Sequence, residues 1–500
     1  AIGGTVMKMD QQSLDLYQHR QLFLNDYAIK DMEDVRRVLH QPHDQRPVMT
    51  PDVSRGQTQL QSKSPPWWIP ELGVWEWWYW AMYDSLPGEM YASEGRVSHY
   101  ATSTDGINWD IPNLGLHEFR GSKSNNVAYD SSDRGLALYH IIRDDDEPDP
   151  QRRFKGIFAT SEKLVNRLPG FSPDGFDWTF PDTQPIPSKD TSNFLHDSAR
   201  GQFVGMVKHG TEWGRSVWLV TSPDFVQWTE PRLVLHSDLQ DKENRKRRVE
   251  AVVSNPEYLS LPLVDGVEYL AEVYQMPLVA YEGVYIGFPV LFNPAGAIPP
   301  PHGNFTALNQ TELAVSRDLH DWERVADRAL FLEVQPWDGV SFETAQLSVC
   351  GPPVRQGDDL WVYYGASRYR GPRELYTEVS DKDFEQHGAL HLGKLRLDGF
   401  VSLDADGHGT VITKPFTAKG GWLYANVDAP RGWLRAEILD AETMEPLPGQ
   451  SRADCKPLTG DHLSGQLSWH DGDDVSSQRP VRIRFELGQA SLYAFWLQKG

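Results

Sequence analysis

Cysteine is scarce. Cys350 and Cys455 are the two in 500 residues, too few and too far apart for a disulfide framework or a zinc spacing, so buried thiols are expected. Basic charge is also in deficit: 48 Lys and Arg stand against 70 Asp and Glu, a formal charge of −22. Nucleic acid is bound by clustered cations that neutralise phosphates, and an anionic membrane surface asks for the same, so both are excluded as partners. No apolar run reaches the ~18 residues of a transmembrane helix. The chain opens Ala1-Ile2-Gly3-Gly4-Thr5 with no charged and then apolar leader pattern. The expectation is a soluble protein, cytoplasmic or secreted with its leader removed. Long stretches of helical periodicity are missing too, which leaves an all-β chain.

What is present is aromatic and repetitive. Eighteen Trp, 19 Tyr and 20 Phe support a large folded core, and 41 Gly and 35 Pro are scattered as in a chain of many short strands. The signature Ser-x-Asp-x-x-x-Trp occurs at residues 103–109, 172–178, 222–228 and 316–322. Each copy closes a unit with an acid-bearing opening strand and an aromatic strand such as 77–83. A fifth unit, from Phe342 to Leu395, lacks the turn. Self-similarity of this kind marks a propeller. The expected architecture is a five-bladed β-propeller over residues 1–410, followed by a β-sandwich over residues 411–500, where period-two alternation sets in. Within the first domain, an N-terminal extension of residues 1–60 supplies the closing strand, from 22–29 or 35–40. Residues 43–66 read as a loop, and the charged insertion 238–250 as a solvated loop.

Opening strands of a propeller line its central channel, so acids on them converge although far apart in sequence. Those acids are Glu71, Asp144, Asp190, Glu282 and Glu343, joined by Asp26 if its strand reaches the funnel. Crowded carboxylates split into a protonated and an ionised member. That pair is the machinery of glycoside hydrolysis: one gives a proton to the leaving oxygen, the other attacks the anomeric carbon or activates water. Asp190 or Glu282 is expected as proton donor and Glu71 or Glu343 as the ionised partner, with Asp26 and Asp144 orienting hydroxyls. Trp68, Trp75 and Tyr281 would stack on sugar faces, and Asn193 and Gln346 would bind ring hydroxyls. The Asp residues of the recurring turns are expected to bond local backbone N–H groups instead. His40, His140 and His196 show no ligand spacing, so neither metal nor cofactor is expected, and the partner is an oligosaccharide or glycoside. A phosphorylase or lyase on the same scaffold is the alternative, with Arg143, Arg368 and Arg370 as phosphate ligands. A non-catalytic sugar-binding propeller is a further one.

The repeats, inner-strand acids and C-terminal alternation resemble, over roughly residues 60–400, the five-bladed propeller glycoside hydrolases of the fructofuranosidase (family 32) and arabinanase (family 43) type. Residues 22–27, 190–193, 281–287 and 395–400 resemble a bacterial group of family-32-like hydrolases. The resemblance implies three acids on the opening strands of the first three blades, with Glu71, Asp144 and Asp190 at those positions. Ile142-Arg143-Asp144 resembles the Arg-Asp-Pro element of the second, with Asp145 in place of Pro. The Trp-Met-Asn-Asp-Pro-Asn-Gly signature of true fructofuranosidases is absent.

Overall fold

The computed structural model describes residues 14–83, 97–130, 135–160 and 165–499. The first thirteen residues of the expected N-terminal extension lie outside them. Strands dominate, in five hydrogen-bonded sheets. The α-helices among the described residues are Leu239–Val253 and Asp381–Glu385, and no described helix is long and apolar enough to cross a membrane.

Two small sheets follow chain order, antiparallel throughout: Leu136–Arg143, Phe154–Thr160 and Leu168–Ser172, then Asn193–Asp197, Gln202–Thr211, Gly214–Ser222 and Arg232–Leu235. A third joins Leu278–Tyr281, Val284–Gly287, Ala314–Ser316 and Glu323–Arg324. The largest sheet has thirteen strands. In it the run Gln57–Gln61, Val74–Tyr83, Val97–Ser103 and Val127–Tyr129 meets a second run of Gln346–Val349, Asp359–Ser367 and Gly388–Arg396 through the parallel bridge Gln59 to Gly388. Strand Glu272–Gln275, with Val290–Ala297 and Phe305–Thr311, extends it.

The strand that flanks Gly388–Arg396 on its outer side is His43–Met49. It was expected to be loop. An outermost strand with charged and polar side chains carries no apolar alternation, which is how sheet edges avoid aggregation and why its sequence reads as loop. The two stretches expected to close the ring pair elsewhere. Gln21–Leu22, Ile29–Glu33 and Arg36–Leu39 belong to the C-terminal sheet with Val401–Thr413, Trp422–Asp440, Leu458–Gln466 and Val481–Gln498. Its core is a separate cluster around Phe23, Phe416, Trp469, Phe485 and Phe495.

The charged insertion is the helix Leu239–Val253 and not a loop. Asp238 accepts from the Asp241 N–H while Asp241 caps back onto the Asp238 N–H, a reciprocal cap that starts a helix whatever its apolar content.

The four repeated turns are built alike. Oδ1 of Asp105 accepts the N–H groups of Ile107 and Asn108, each at 2.8 Å. Asp174, Asp224 and Asp318 make the same pair of bonds at 2.8–3.0 Å. Those backbone donors hold the Asp105 and Asp318 carboxyls below the usual range. The closing Trp residues pack or tie back: Trp109 lies 5.0 Å from Trp77, and Trp178, Trp228 and Trp322 donate to carbonyls three residues earlier. The turns are structural, as expected from their chemistry.

Candidate active site

Inner strands from across the molecule meet at one small cavity of about 90 Å³. Gln59 and Gln61 come from Gln57–Gln61, Tyr139 from Leu136–Arg143, Tyr274 and Gln275 from Glu272–Gln275, Asn309 from Phe305–Thr311, and Gln346 and Ser348 from Gln346–Val349. Asp190, just before Asn193–Asp197, is the acid on this wall among the described residues. Its backbone is left-handed, φ 47°. A non-glycine residue held so costs on the order of 1 kcal/mol or more and persists where its surroundings over-determine it. Here Arg167 takes its carbonyl and Ser192 Oγ.

Asp190 Oδ2 accepts from the Lys208 ammonium at 2.8 Å. Lys208 is buried, and its Nζ lies 3.5 Å from the centre of the Tyr274 ring. Burial pulls the lysine down to about 7, against the opposing pull of Asp190. Arg215 and Arg370 approach the same ring at 5.4 and 5.9 Å, and burial raises the Tyr274 phenol to about 12. Arg215 pairs with Glu272 at 2.7 Å. Arg370 donates to Gln346 Oε1 at 3.1 Å and to the Phe305 carbonyl at 3.2 Å. Arg370 lines a separate, wider cleft of about 670 Å³ with Thr58, Tyr83, His302, Phe305 and His387.

Glu343 lies before the strand that carries Gln346. It is buried, and Oε1 accepts from the Tyr364 hydroxyl at 2.6 Å. Burial, more than that hydrogen bond opposes it, raises its carboxyl above the usual range. Its carboxyl is not on the cavity wall.

The opposite ends of the inner strands hold a different opening, about 840 Å³, walled by Trp67, Trp68, Trp75, Phe194, Arg143 and His196. Two expected acids lie next to residues of this wall, though not on it, and not with Asp190. Glu71 sits in the turn between Trp67–Ile69 and Val74–Tyr83, exposed, with Arg143 Nη2 at 3.0 and 3.1 Å from its oxygens. Its own backbone N–H, then Arg143, holds it below the usual range. Asp144 ends Leu136–Arg143 and pairs with Lys155 at 2.8 Å and His196 at 3.4 Å. Asp144, Asp146 and His196 bring ligand atoms within 4.8 Å of one another. The Lys155 ammonium already occupies Asp144. The Arg143-Asp144 element stands at the end of Leu136–Arg143, the first strand of its sheet. Trp68 and Trp75 pack at 5.4 Å on this wall.

Glu282 and Tyr281 face neither opening. They form the tip between Leu278–Tyr281 and Val284–Gly287, with φ 48° at Glu282. Glu282 accepts from the Arg20 N–H at 2.8 Å. The Tyr281 hydroxyl donates to Asp398 at 2.6 Å, where Arg20 and Asn426 also converge. The group bolts a hairpin to the C-terminal sheet. Asp26, exposed, pairs with Arg37 on that side of the molecule.

Asp190 and Glu282, the alternative proton donors of the sequence reading, lie far apart along the strand Gln202–Thr211. Lys208 marks the Asp190 end of Gln202–Thr211, while Arg200, just before that strand, donates to the Gly283 carbonyl at 2.9 Å. From Gln202 to Lys208 the strand covers ~20 Å at ~3.4 Å per residue, about twice the widest span of glycosidic acid pairs, ~10 Å. Asn193 is buried, lines neither opening, and neither its amide nitrogen nor its oxygen has a partner among the described residues. Of the three arginines expected to bind phosphate, Arg143 is at the far end and Arg368 is spent on the Val340, Ser341 and Gln386 carbonyls. Arg370 lines the wider cleft and reaches the small cavity only through its bond to Gln346.

Sequence reasoning missed Lys208, Tyr274 and Lys63. Lys208 had a signal, a lysine that continues the apolar run Phe203-Val204-Gly205-Met206-Val207. Lys63, in Ser62-Lys63-Ser64-Pro65-Pro66, had none.

No family model matches the chain, and no curated protein matches it. Solved structures with a similar chain path include the family 32 β-fructofuranosidase of Bombyx mori, 11% identical, covering 91% of this chain and 94% of that one, with a TM-score of 0.41. An exo-β-1,3-galactanase of Phanerochaete chrysosporium is 10% identical over 92% of this chain and 99% of that one, TM-score 0.35. A glycosyl hydrolase of Bacteroides ovatus is 13% identical over 75% and 96%, TM-score 0.41.

Proposed function

We propose that the chain is a carbohydrate-active enzyme, a glycoside hydrolase acting on a furanoside or an unusual oligosaccharide terminus, with its chemistry at the Asp190 end of the inner strands. In this reading the strands of residues 43–396 are five propeller blades and those of residues 401–498, with 21–39, a β-sandwich. The observation that carries it is Asp190: an acid held in a strained backbone, on the wall where inner strands from distant parts of the chain converge. Active sites are where such strain and such convergence recur.

Asp190 has an ammonium partner, which suits it to the ionised role, as base or nucleophile, in place of proton donor. Glu343, at the corresponding end of its strand and raised by burial, is the acid suited to protonate the leaving oxygen. Gln346 and Tyr274 offer polar and aromatic contacts to the sugar. The cavity is smaller than the ~150 Å³ that holds a benzene molecule, so it takes one substituent of the sugar and not the whole ring.

The test is release of aryl alcohol from a panel of aryl furanosides and pyranosides. Wild type should turn over at least one, and Asp190→Asn and Glu343→Gln should each lose on the order of 10²–10⁴ in rate with the fold intact. Equal rates in wild type and Asp190→Asn would sink the reading. Phosphorolysis is the second reading, favoured by the cations around Tyr274, and omission of phosphate from the assay separates the two.

A further inference from the structure

The opening of about 840 Å³ at the far ends of the inner strands has no task in the chemistry placed at Asp190, yet its volume is within the ~300–1,000 Å³ of small-molecule sites. One hairpin builds its aromatic wall. Successive residues of a strand face opposite ways, so the two tryptophans of Trp67–Ile69 differ in role. Trp67 packs against core side chains and donates its indole N–H to the Ile141 carbonyl at 3.1 Å. Trp68 is exposed, and its indole N–H has no hydrogen bond among the described residues. Trp75, directly across the ladder, backs Trp68 at 5.4 Å. Pro65, Pro66 and Pro70 flank the pair on the same wall. Their fixed φ makes the platform stiff, so little freedom is lost when a ligand settles on it.

The polar groups beside this platform are fixed by charge pairing. Arg143 holds Asp145 at 2.7 Å and Glu71 at 3.0 Å. His196 sets Nδ1 3.4 Å from Asp144 and stacks on Phe203 at 4.5 Å, while its Nε2 has no hydrogen bond among the described residues. An anion gains little from a guanidinium that already holds two carboxylates. A neutral ligand rich in hydroxyls gains from the whole wall. Its C–H faces lie on the indole, and its hydroxyls meet oriented donors and acceptors at the rim. The Asp190 cavity is not part of this wall. Asp197, which is, precedes Gln202–Thr211, and Lys208 near the other end of that strand holds Asp190, ~20 Å away at ~3.4 Å per residue.

We infer that the wide opening is a second carbohydrate site, which holds a neutral oligosaccharide on Trp68 without cleaving it. Binding there is independent of the chemistry at Asp190. A glycan gripped at the wide end keeps the enzyme on its polymer, and a bond broken at the narrow end belongs to another stretch of chain.

The test is calorimetric titration of the full chain with malto-, manno-, galacto-, xylo-, arabino- and fructo-oligosaccharides, and with oligogalacturonide as the anionic control. At least one neutral member should bind the wild type, and more tightly than the anionic control. Trp68→Ala should weaken that binding at least about tenfold, with Trp68→Phe between the two. Asp190→Asn should bind as wild type does. Tryptophan fluorescence is the second readout: the change on adding the bound sugar should vanish in Trp68→Phe. No binding by any neutral member at millimolar concentration, or equal binding by wild type and Trp68→Ala, overturns the second site. So does a loss in Asp190→Asn as large as that in Trp68→Ala, which would put the sugar at the narrow end. Turnover keeps the two readings apart. If glycans bind through Trp68 and no aryl glycoside is ever cleaved, the second site stands and the glycosidase reading falls. If Asp190 is needed for cleavage and Trp68→Ala binds as wild type does, the reverse holds.

Discussion

The two ends of the inner strands are built for different tasks. At the Asp190 end the walls carry the amides of Gln59, Gln275, Asn309 and Gln346, the rings of Tyr139 and Tyr274, and Lys63, and the space is about 90 Å³. At the other end the opening is about 840 Å³, its walls include Trp67, Trp68 and Trp75, and Arg143 on that wall pairs with Asp145 and Glu71. A wide aromatic cleft is the conventional picture of a sugar site. Asp190 and the buried Lys208 that pairs with it are nevertheless at the narrow end. Volume and reactivity are therefore separate properties in this molecule, and variants can separate them.

The largest difference should come from matched acid-to-amide changes at the two ends. Asp190→Asn should lower kcat/KM on a cleaved aryl glycoside by about 10³, whereas Glu71→Gln should leave it within about twofold. Comparable losses in both would erase the distinction between the ends.

The next effect is on acid stability and belongs mainly to the strands and not to either mouth. His99 and His387 are lowered to about 4, and His140 and His391 to about 3, all by burial. Each is neutral in the folded state, with an ordinary value near 6.5 when unfolded. The unfolded chain therefore binds more protons as pH falls, and stability is lost from about pH 6.5 downward. At pH 5 linkage gives about 2 kcal/mol per histidine. Thermal melts should show Tm falling steeply between pH 7 and 5, and His140→Gln, on the wall of the wide cleft, should flatten that slope. Lys208, at the narrow end, acts on the alkaline side. Its folded value of about 7 lies below the ordinary lysine value of 10.5, so stability should rise with pH between them and Lys208→Met should remove that rise.

Tyr281→Phe removes a half-buried hydroxyl from Asp398, leaves that acceptor short of a donor, and should cost about 1–3 kcal/mol in urea melts. Activity should not change, since the Tyr281–Glu282 tip serves neither opening. The smallest effect is expected for Trp68→Ala. Trp68 is 41% exposed, so stability should shift by only about 0.5 kcal/mol. A rise in KM for long glycans but not for aryl monosaccharides would give the wide cleft a role in binding chain extensions.

Much of the local architecture was legible. The four turns follow from Ser and Asp side chains that bond backbone groups within five residues, a short-range geometry that any chain with that spacing adopts. The β-rich character follows from alternation and from the lack of long helical periods. Two elements were hidden for opposite reasons. His43–Met49 is a polar outermost strand, so burial never stamped a period on it. Leu239–Val253 is a helix defined by its cap and its Lys, Arg and Glu content, with little apolar face to reveal it.

The sequence reading put the candidate acids on opening strands. In the structure Asp190 and Glu343 precede strands, Asp144 follows one, and Glu71 and Glu282 sit in turns between two. Strand ends were not legible, and only the packing of the sheets makes the start of one strand a neighbour of the start of another.

By itself the sequence determined the turns, the strand content, the acidic surface and the stock of carboxylates, all set by contacts within a few residues or by composition. The tertiary structure alone decided which of those carboxylates share an end, and which cations they meet. Lys63 reaches Gln275 across 212 residues of chain, and Arg370 reaches the Phe305 carbonyl across 65. No local pattern encodes such meetings, since they arise when separately folded sheets bury their faces against one another.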